Sequence, residues 1–200
     1  MNRFIPATLV SLVTLAVAAV AAGGPAPAGL PTGKWTGEGV FTVHRWPKDA
    51  GTATDSPHEY ETGRYKTHLT IESAKVDGQP AYRIEILSER GKHKLIDGDR
   101  THMVLVLVQR KAYEGDGAPI EYACVESGLV TDASPLKTEK NNEIFPIVTA
   151  VADKGGTTLH LTYGKDFADV ITFRGAEVVK TGTLTADDGV IQWTEQLKQK

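Results

Sequence analysis

Side chains suited to metal binding are spread thinly along this chain of 200 residues, which has six histidines and one cysteine. A zinc site needs three or four ligands brought together, usually with one closely spaced pair. The chain has no H-x-H, H-E-x-x-H or C-x-x-C spacing. His44, His68 and His160 fall on the polar positions of alternating segments, which predicts that they lie on solvated strand faces. We therefore expect no metal and no cofactor.

Catalytic motifs are equally lacking. The chain has no G-x-S-x-G, no glycine-rich phosphate loop and no pair of carboxylates at a recognisable spacing. Cys124 is in step with Ile120 and Tyr122, which indicates a small buried side chain rather than a nucleophile. Asp187 and Asp188 belong to a turn signal. We predict no catalytic residues and expect a binding protein rather than an enzyme.

The N-terminal segment is typical of an export signal. Arg3 precedes an almost unbroken apolar run over 4–20, and small residues follow it. This pattern predicts a signal peptide over 1–22, cleaved after Ala21 or Ala22, and a periplasmic or secreted protein. An uncleaved membrane anchor is the alternative, because the run is marginally long enough to span a bilayer.

Charge and cysteine content exclude some partners. Without Arg3 the chain carries 21 basic and 25 acidic side chains, a formal charge of −4, and the basic residues are scattered. This distribution offers no patch for nucleic acid. A lone cysteine forms no internal disulfide, so stability must come from packing. We expect no nucleic-acid partner and no membrane span after cleavage.

Apolar and polar residues alternate with a period of two along most of the chain after Gly33. Segments 64–72, 81–87, 157–163 and 190–197 show this pattern, which indicates strands with one dry face. Turn signals separate them, and no helical pattern intervenes. The sequence predicts an all-β protein of eight to ten antiparallel strands.

The same turn and breaker residues indicate the domain organisation. Residues 23–32 form a Pro/Gly/Ala tether, and 33–200 a single domain. Closure into an up-and-down barrel hides every strand edge, with a two-sheet sandwich as the alternative. Residues 103–108 are apolar at every position, so both faces of that strand must be covered, either by the chain itself or by a partner in a homodimer.

The stretch "GKWTGEGVFTV" places Trp35, Gly37, Gly39, Phe41 and Val43 on one face. Glycine weakens a strand unless the backbone bends or another group approaches closely. We predict that Trp35 closes the narrow end of the barrel, while Gly37 and Gly39 give the room and curvature that it needs. An ordinary core tryptophan beside incidental glycines is the alternative.

Gly33-x-Trp35 resembles the G-x-W signature on the first strand of lipocalins, and its extension through Gly37 and Gly39 resembles the opening of nitrobindin-like haem barrels. Both families are closed antiparallel barrels with a cavity. The resemblance implies a lipocalin-like, calycin-type barrel, with the haem barrel as second choice. In lipocalin-like barrels the connection after the first strand is a lid, which here corresponds to 47–59.

Two departures from these families stand in the sequence. Thr131-Asp132 is followed by Ala133, where lipocalins usually carry a T-D-Y-like turn. Nitrobindin-like proteins hold haem iron through a histidine near the C-terminus, whereas no histidine follows His160 in this chain.

The predicted function is binding of one small, largely apolar or amphipathic molecule in the barrel lumen. A barrel of eight or more strands is wide enough for such a ligand, and tyrosines supply apolar rings with a polar handle. The alternatives are an envelope structural or interaction protein with a filled barrel, and a haem barrel with an axial ligand among His44, His68 and His160. The lining candidates are Phe41, Val43, Tyr65, Leu69, Ile71, Tyr82, Ile84, Ile86, Leu159, Leu161 and Tyr163.

Overall fold

A computed structural model describes residues 29–46, 59–115, 117–140 and 148–200, and every regular element within these ranges is a β-strand. The predicted signal peptide and residues 47–58 of the predicted lid lie outside the described residues. The described ranges contain no helix long and apolar enough to cross a membrane. The strands are β1 (Gly33–Arg45), β2 (Glu59–Val76), β3 (Gln79–Glu89), β4 (Arg100–Ala112), β5 (Pro119–Val130), β6 (Glu139–Lys140), β7 (Val148–Asp153), β8 (Gly156–Tyr163), β9 (Phe167–Arg174), β10 (Glu177–Ala186) and β11 (Gly189–Gln199).

The strands close into an antiparallel up-and-down barrel. Each barrel strand pairs with the next along the chain, β5 with β7, and β11 returns to pair with β1. The two-residue β6 pairs with β5 and adds an extra strand outside a ring of ten. The all-β barrel predicted from the alternation is confirmed, and its closure rules out the alternative sandwich.

The two ends of the barrel differ. One end, the turn end, carries the two-residue turns β2–β3, β7–β8 and β9–β10. At the first of these, Asp77 and Gly78 have φ of 50° and 80°, the left-handed pair that a type I′ hairpin requires. The opposite end, the loop end, carries the longer connections β1–β2, β3–β4 and β5–β7. Long connections are where binding sites usually lie, so the loop end is the candidate mouth.

A continuous apolar cluster, the main core, receives side chains from all ten barrel strands. It also includes Leu30, which is 4% exposed although it belongs to the range predicted as a tether. The packed part of the chain therefore includes Leu30. The members of the main core are Leu30, Trp35, Leu69, Ile71, Ile84, Ile86, Met103, Leu105, Leu107, Ile120, Tyr122, Cys124, Val148, Ala150, Leu159, Leu161, Ile171, Phe173, Val178 and Leu197.

The outer face of β4 is covered within one chain. Val104, Val106 and Val108 are all buried, the last two in a small outer cluster with Ala81. Val104 pairs with Gly128, and a Cβ on Gly128 would overlap with the backbone of Lys137. The segment leading into β6 therefore crosses this wall. Homodimerisation through 103–108 stays a prediction.

Candidate functional site

Three charged side chains on adjacent strands lie inside the barrel. Asp169 on β9, Lys180 on β10 and Glu195 on β11 are only 2%, 5% and 1% exposed. The Lys180 Nζ lies 2.7 Å from Glu195 Oε1 and 3.4 Å from Asp169 Oδ2. Charged groups are rarely buried this deeply unless they are paired, and here one ammonium bridges two carboxylates.

Neutral donors complete the hydrogen bonding of the two carboxylates. The Tyr65 hydroxyl donates to Glu195 Oε1 at 2.7 Å, and the Thr67 hydroxyl donates to Oε2 at 2.9 Å. Trp193 Nε1 donates to Asp169 Oδ1 at 3.2 Å. The Ser88 hydroxyl lies 3.3 Å from that of Thr67 and extends the network to β3. The charged layer, as we call Asp169, Lys180 and Glu195, thus ties five strands together from inside the barrel.

Burial and the neighbouring charges together set the protonation of Asp169, Lys180 and Tyr65. Burial raises the pKa of Asp169 to about 6, against the opposing effect of Lys180. Burial alone would lower the pKa of Lys180, but the two carboxylates outweigh it and hold that pKa above its usual range. Burial and then Glu195 raise the pKa of Tyr65. Lys180 is therefore charged and Tyr65 is neutral, whereas Asp169 titrates near pH 6.

Two glycines make room for the aromatic rings beside the charged layer. Gly39 pairs with Tyr65, and a Cβ on Gly39 would lie 2.7 Å from Cε2 of that ring. Gly182 pairs with Trp193, and its Cβ would lie 2.6 Å from the indole Nε1. The sequence predicted that Gly39 makes space for Trp35. In the structure, the side chain that occupies the space beside Gly39 is Tyr65.

Trp35 lies among main-core side chains. It is 2% exposed, and its ring meets that of Phe173 edge-on at 5.5 Å. At Gly37 a Cβ would overlap with the backbone of Gln196, so this glycine allows β1 and β11 to approach closely. Leu197 packs in the same core, whereas Phe41 and Trp193 belong to a separate cluster.

Two polar groups in the main core are unpaired. Trp35 Nε1 and the Tyr122 hydroxyl are buried and have no hydrogen-bond partner among the described residues. Tyr122 is fully buried and packs edge-on against Tyr82 at 6.0 Å. Burial raises the pKa of its phenol to about 12, so the hydroxyl keeps its proton and remains a donor.

The predicted lining residues fall into three groups. Phe41, Val43 and Tyr65 form the loop-end cluster, against which Leu95, Ile96, Ile191 and Trp193 pack. Tyr82 is half-buried against the main core, and Tyr163 lies at the end of β8 with 53% exposure. The rest are main-core residues: Leu69, Ile71, Ile84, Ile86, Leu159 and Leu161.

A segment with no role predicted from its sequence lies across the loop end. The β3–β4 connection, residues 90–99, which we call the strap, packs Leu95 and Ile96 onto the loop-end cluster. The His93 ring meets Phe41 edge-on at 4.6 Å. The sequence feature that indicates this packing is the apolar pair Leu95-Ile96 within a connection of mostly charged residues. Of the predicted lid at 47–59, only Glu59 falls within the described residues.

An open cleft of about 700 Å³ lies beside the strap at the loop end. It is bounded by the strap and by the connection after β5. Its lining residues are Lys92, His93, Ile96, Asp97, Gly98, Asp99, Asp132, Ala133 and Ser134.

The histidines considered as haem ligands lie on the outer wall. His44 on β1, His68 on β2 and His160 on β8 alternate with inward-facing side chains. The ring of His44 lies 5.8 Å from that of Trp46, and His68 Nδ1 lies 3.1 Å from the Thr36 hydroxyl. Within the described ranges, no group of three or more His, Cys, Asp or Glu side chains is arranged to hold a metal ion.

Cys124 belongs to the main core and is 8% exposed. Its thiol donates to the Glu126 carbonyl oxygen at 3.4 Å, and burial raises its pKa. A raised pKa suppresses the thiolate, so this position suits packing rather than nucleophilic chemistry.

The ten-stranded closed barrel is consistent with a calycin-like architecture, as the Gly33-x-Trp35 resemblance implied. Sequence and structure comparisons do not extend that likeness to any family. No protein-family model, no curated protein and no solved structure matches this chain.

Proposed function

We propose that this protein is a lipocalin-like barrel that binds one small, largely apolar molecule in its lumen. The two unpaired polar groups of the main core carry this assignment. An unsatisfied buried donor costs about 1–3 kcal/mol and is uncommon in native proteins. Trp35 Nε1 and the Tyr122 hydroxyl are both donors, so a carbonyl or ether oxygen on a ligand would satisfy either of them.

A ligand in this lumen should be uncharged. Lys180 already binds both carboxylates of the charged layer, and no further ammonium among the described residues is buried there to pair with a ligand charge. Bringing an unpaired charge into such a site carries a large desolvation cost. Binding would instead be driven by apolar area, at roughly 25 cal/mol per Å² removed from water.

Titration with prodan, an uncharged naphthyl ketone, tests this function. We expect its fluorescence to saturate at micromolar protein, with an emission shift typical of an apolar site. Tyr122→Phe should weaken prodan binding about tenfold, the loss of roughly one hydrogen bond. It should leave the free energy of unfolding of the unliganded protein unchanged or slightly higher, because no protein hydrogen bond is lost.

Tyr65→Phe is the matched control. It also removes one buried phenol oxygen, but this hydroxyl donates to Glu195 within the protein. We expect it to lower stability and to leave prodan affinity within about threefold of the wild type. Equal prodan affinity in wild type and Tyr122→Phe would contradict the proposed role of Tyr122.

A filled barrel that acts through its outer surface is the second candidate. The observation in its favour is the complete burial of main-core side chains such as Leu105, Leu159 and Ile171, each 0% exposed. Under this alternative no apolar probe saturates, either in the wild type or in Tyr122→Phe.

The proposed setting is the periplasm or the extracellular medium, reached through a cleaved leader over residues 1–22. The small positive segment at Arg3 and the apolar run after it support this location. Cleavage after Ala21 or Ala22 would keep Leu30, which packs in the main core. N-terminal sequencing of the protein recovered from culture medium or periplasm would read from Ala22 or Gly23.

A further inference from the structure

The two ends of the strap are hydrogen-bonded to each other, and we call this junction the neck. The backbone N–H groups of Arg90 and Gly91 both donate to the carbonyl oxygen of Asp99, at 2.8 and 2.9 Å. The Arg90 guanidinium bonds to Thr101 and to the carbonyl oxygen of Arg100, which fixes the neck to β4. Loops of this length whose ends lie close together are frequently functional. These bonds hold both ends of the strap at the end of β3 and the start of β4.

One carboxylate on β2 holds the body of the strap. Glu61 accepts hydrogen bonds from the backbone N–H groups of Leu95 at 2.8 Å and Lys94 at 3.3 Å. Its Oε1 also lies 3.0 Å from His93 Nδ1. Three successive strap residues thus contact a single side chain.

Arg45 on β1 holds the strap from the other side. Its guanidinium donates from Nε and Nη2 to the carbonyl oxygen of Leu95, at 3.4 and 3.3 Å, and its Nη1 lies 2.6 Å from Asp188 Oδ1. Both backbone polar groups of Leu95 are therefore tied to the barrel. These side-chain bonds are the kind that a local opening breaks without unfolding the strands.

The strap lies over the part of the lumen that leads to the charged layer. Leu95, Ile96 and Trp193 all pack against the loop-end cluster, and the Trp193 indole donates to Asp169 of the charged layer. We propose that the strap is a lid on the lumen, latched by Glu61, and that ligands enter at the loop end when this latch releases. Its role as an entry gate rests on the proposed function, whereas the latch itself is tested without any ligand.

Hydrogen exchange measured by mass spectrometry tests the latch in the full-length mature protein. In Glu61→Ala, amides 94 and 95 should exchange at least about tenfold faster than in the wild type, since bonds to a carboxylate are lost. Barrel amides should keep their rates. Unchanged exchange at 94 and 95 would overturn the latch.

Glu59→Ala is the matched control. Glu59 is on the same strand and contacts the same strap, with Oε1 2.9 Å from Lys94 Nζ, but both side chains are largely exposed. Exposed ion pairs contribute little, so we expect strap exchange within about twofold of the wild type. An effect as large as that of Glu61→Ala would overturn the specific role of Glu61.

The wild-type protein gives a second measurement that does not depend on a variant folding. Strap amides should exchange at a rate independent of low urea concentrations, as in local opening, while amides of β1 and β2 accelerate. Strap amides that accelerate in parallel with those strands would show that the strap does not open separately, and the lid assignment would be wrong.

Stopped-flow mixing with prodan separates the gate from the proposed function. Glu61→Ala should raise the association rate of prodan several-fold. If prodan binds both proteins at the same rate, the strap is not the gate, even where its exchange has changed. If prodan binds neither, the proposed function fails, while hydrogen exchange still decides whether Glu61 latches the strap.

Discussion

Lys180 and Glu195 face each other across β10 and β11 inside the barrel, with Nζ 2.7 Å from Oε1. Asp169 approaches the same ammonium from β9 at 3.4 Å. This arrangement leaves two buried carboxylates dependent on one cation. The barrel wall around them is therefore sensitive to the loss of that one charge.

Lys180→Met should lower the free energy of unfolding by about 3–5 kcal/mol, because it leaves buried charge without a partner. Urea unfolding followed by circular dichroism measures the loss. Lys66→Met, on the exposed face of β2, is the control and should change stability by less than about 0.5 kcal/mol.

Adding Asp169→Asn and Glu195→Gln to Lys180→Met should recover part of the loss, since no unpaired charge then remains. A loss below about 1 kcal/mol for Lys180→Met alone would show that the layer is not a dependent ion network.

Asp169 should give stability an unusual pH dependence. Burial raises its pKa from 3.8 to about 6, so the folded protein binds this proton more tightly than the unfolded chain does. The contribution of Asp169 to the free energy of unfolding is therefore greatest below about pH 4 and falls as the pH rises through about 6.

The variant Asp169→Asn isolates this effect, because its side chain does not titrate. We expect the free energy of unfolding of the wild type, minus that of Asp169→Asn, to fall between about pH 4 and pH 7. A difference that is constant or rises over this range would contradict the raised pKa.

Gly39 and Tyr65 should be energetically coupled. A Cβ at position 39 would displace the Tyr65 ring and break its bond to Glu195, so Gly39→Ala should cost about 1–3 kcal/mol. Tyr65→Phe breaks the same bond. The double variant should therefore lose clearly less stability than the two single losses added together. If the stability loss of the double variant equals the sum of the two single losses within about 0.5 kcal/mol, the two residues are not coupled.

Trp35→Ala should cost about 3–5 kcal/mol, as truncation of a large core aromatic does. Trp46→Ala is the matched control, because the Trp46 indole donates to the Asp187 carbonyl oxygen at the exposed rim. We expect less than about 1.5 kcal/mol for Trp46→Ala, the loss of one hydrogen bond. Equal losses at the two positions would contradict the assignment of Trp35 to the main core.

The strands and the closed barrel could be predicted from sequence because the period-two pattern is continuous in β2, β3, β8 and β11. The charged layer was missed, although its signal was present. Glu195 is in phase with Trp193 and Leu197, so it sits at an inward position of an otherwise apolar face. Lys180 likewise shares a face with Val178, and Asp169 with Ile171. A single polar residue in phase with apolar neighbours marks a buried polar group.

The register between strands could not be predicted from the sequence. The meeting of Asp169, Lys180 and Glu195 depends on the alignment of three separate strands, and a shift by one residue would turn each side chain outward. The strap was missed for another reason. Its packing depends on Glu61 and Arg45, which lie 34 and 50 residues from Leu95 in the chain.

The most direct test of lumen binding is native mass spectrometry of the protein purified from its own compartment. We expect the mature chain to carry one uncharged, largely apolar molecule, to lose it on denaturation, and to carry less of it as Tyr122→Phe. The bare mass of the mature chain in every preparation, together with no saturable binding of prodan, would contradict the proposed function.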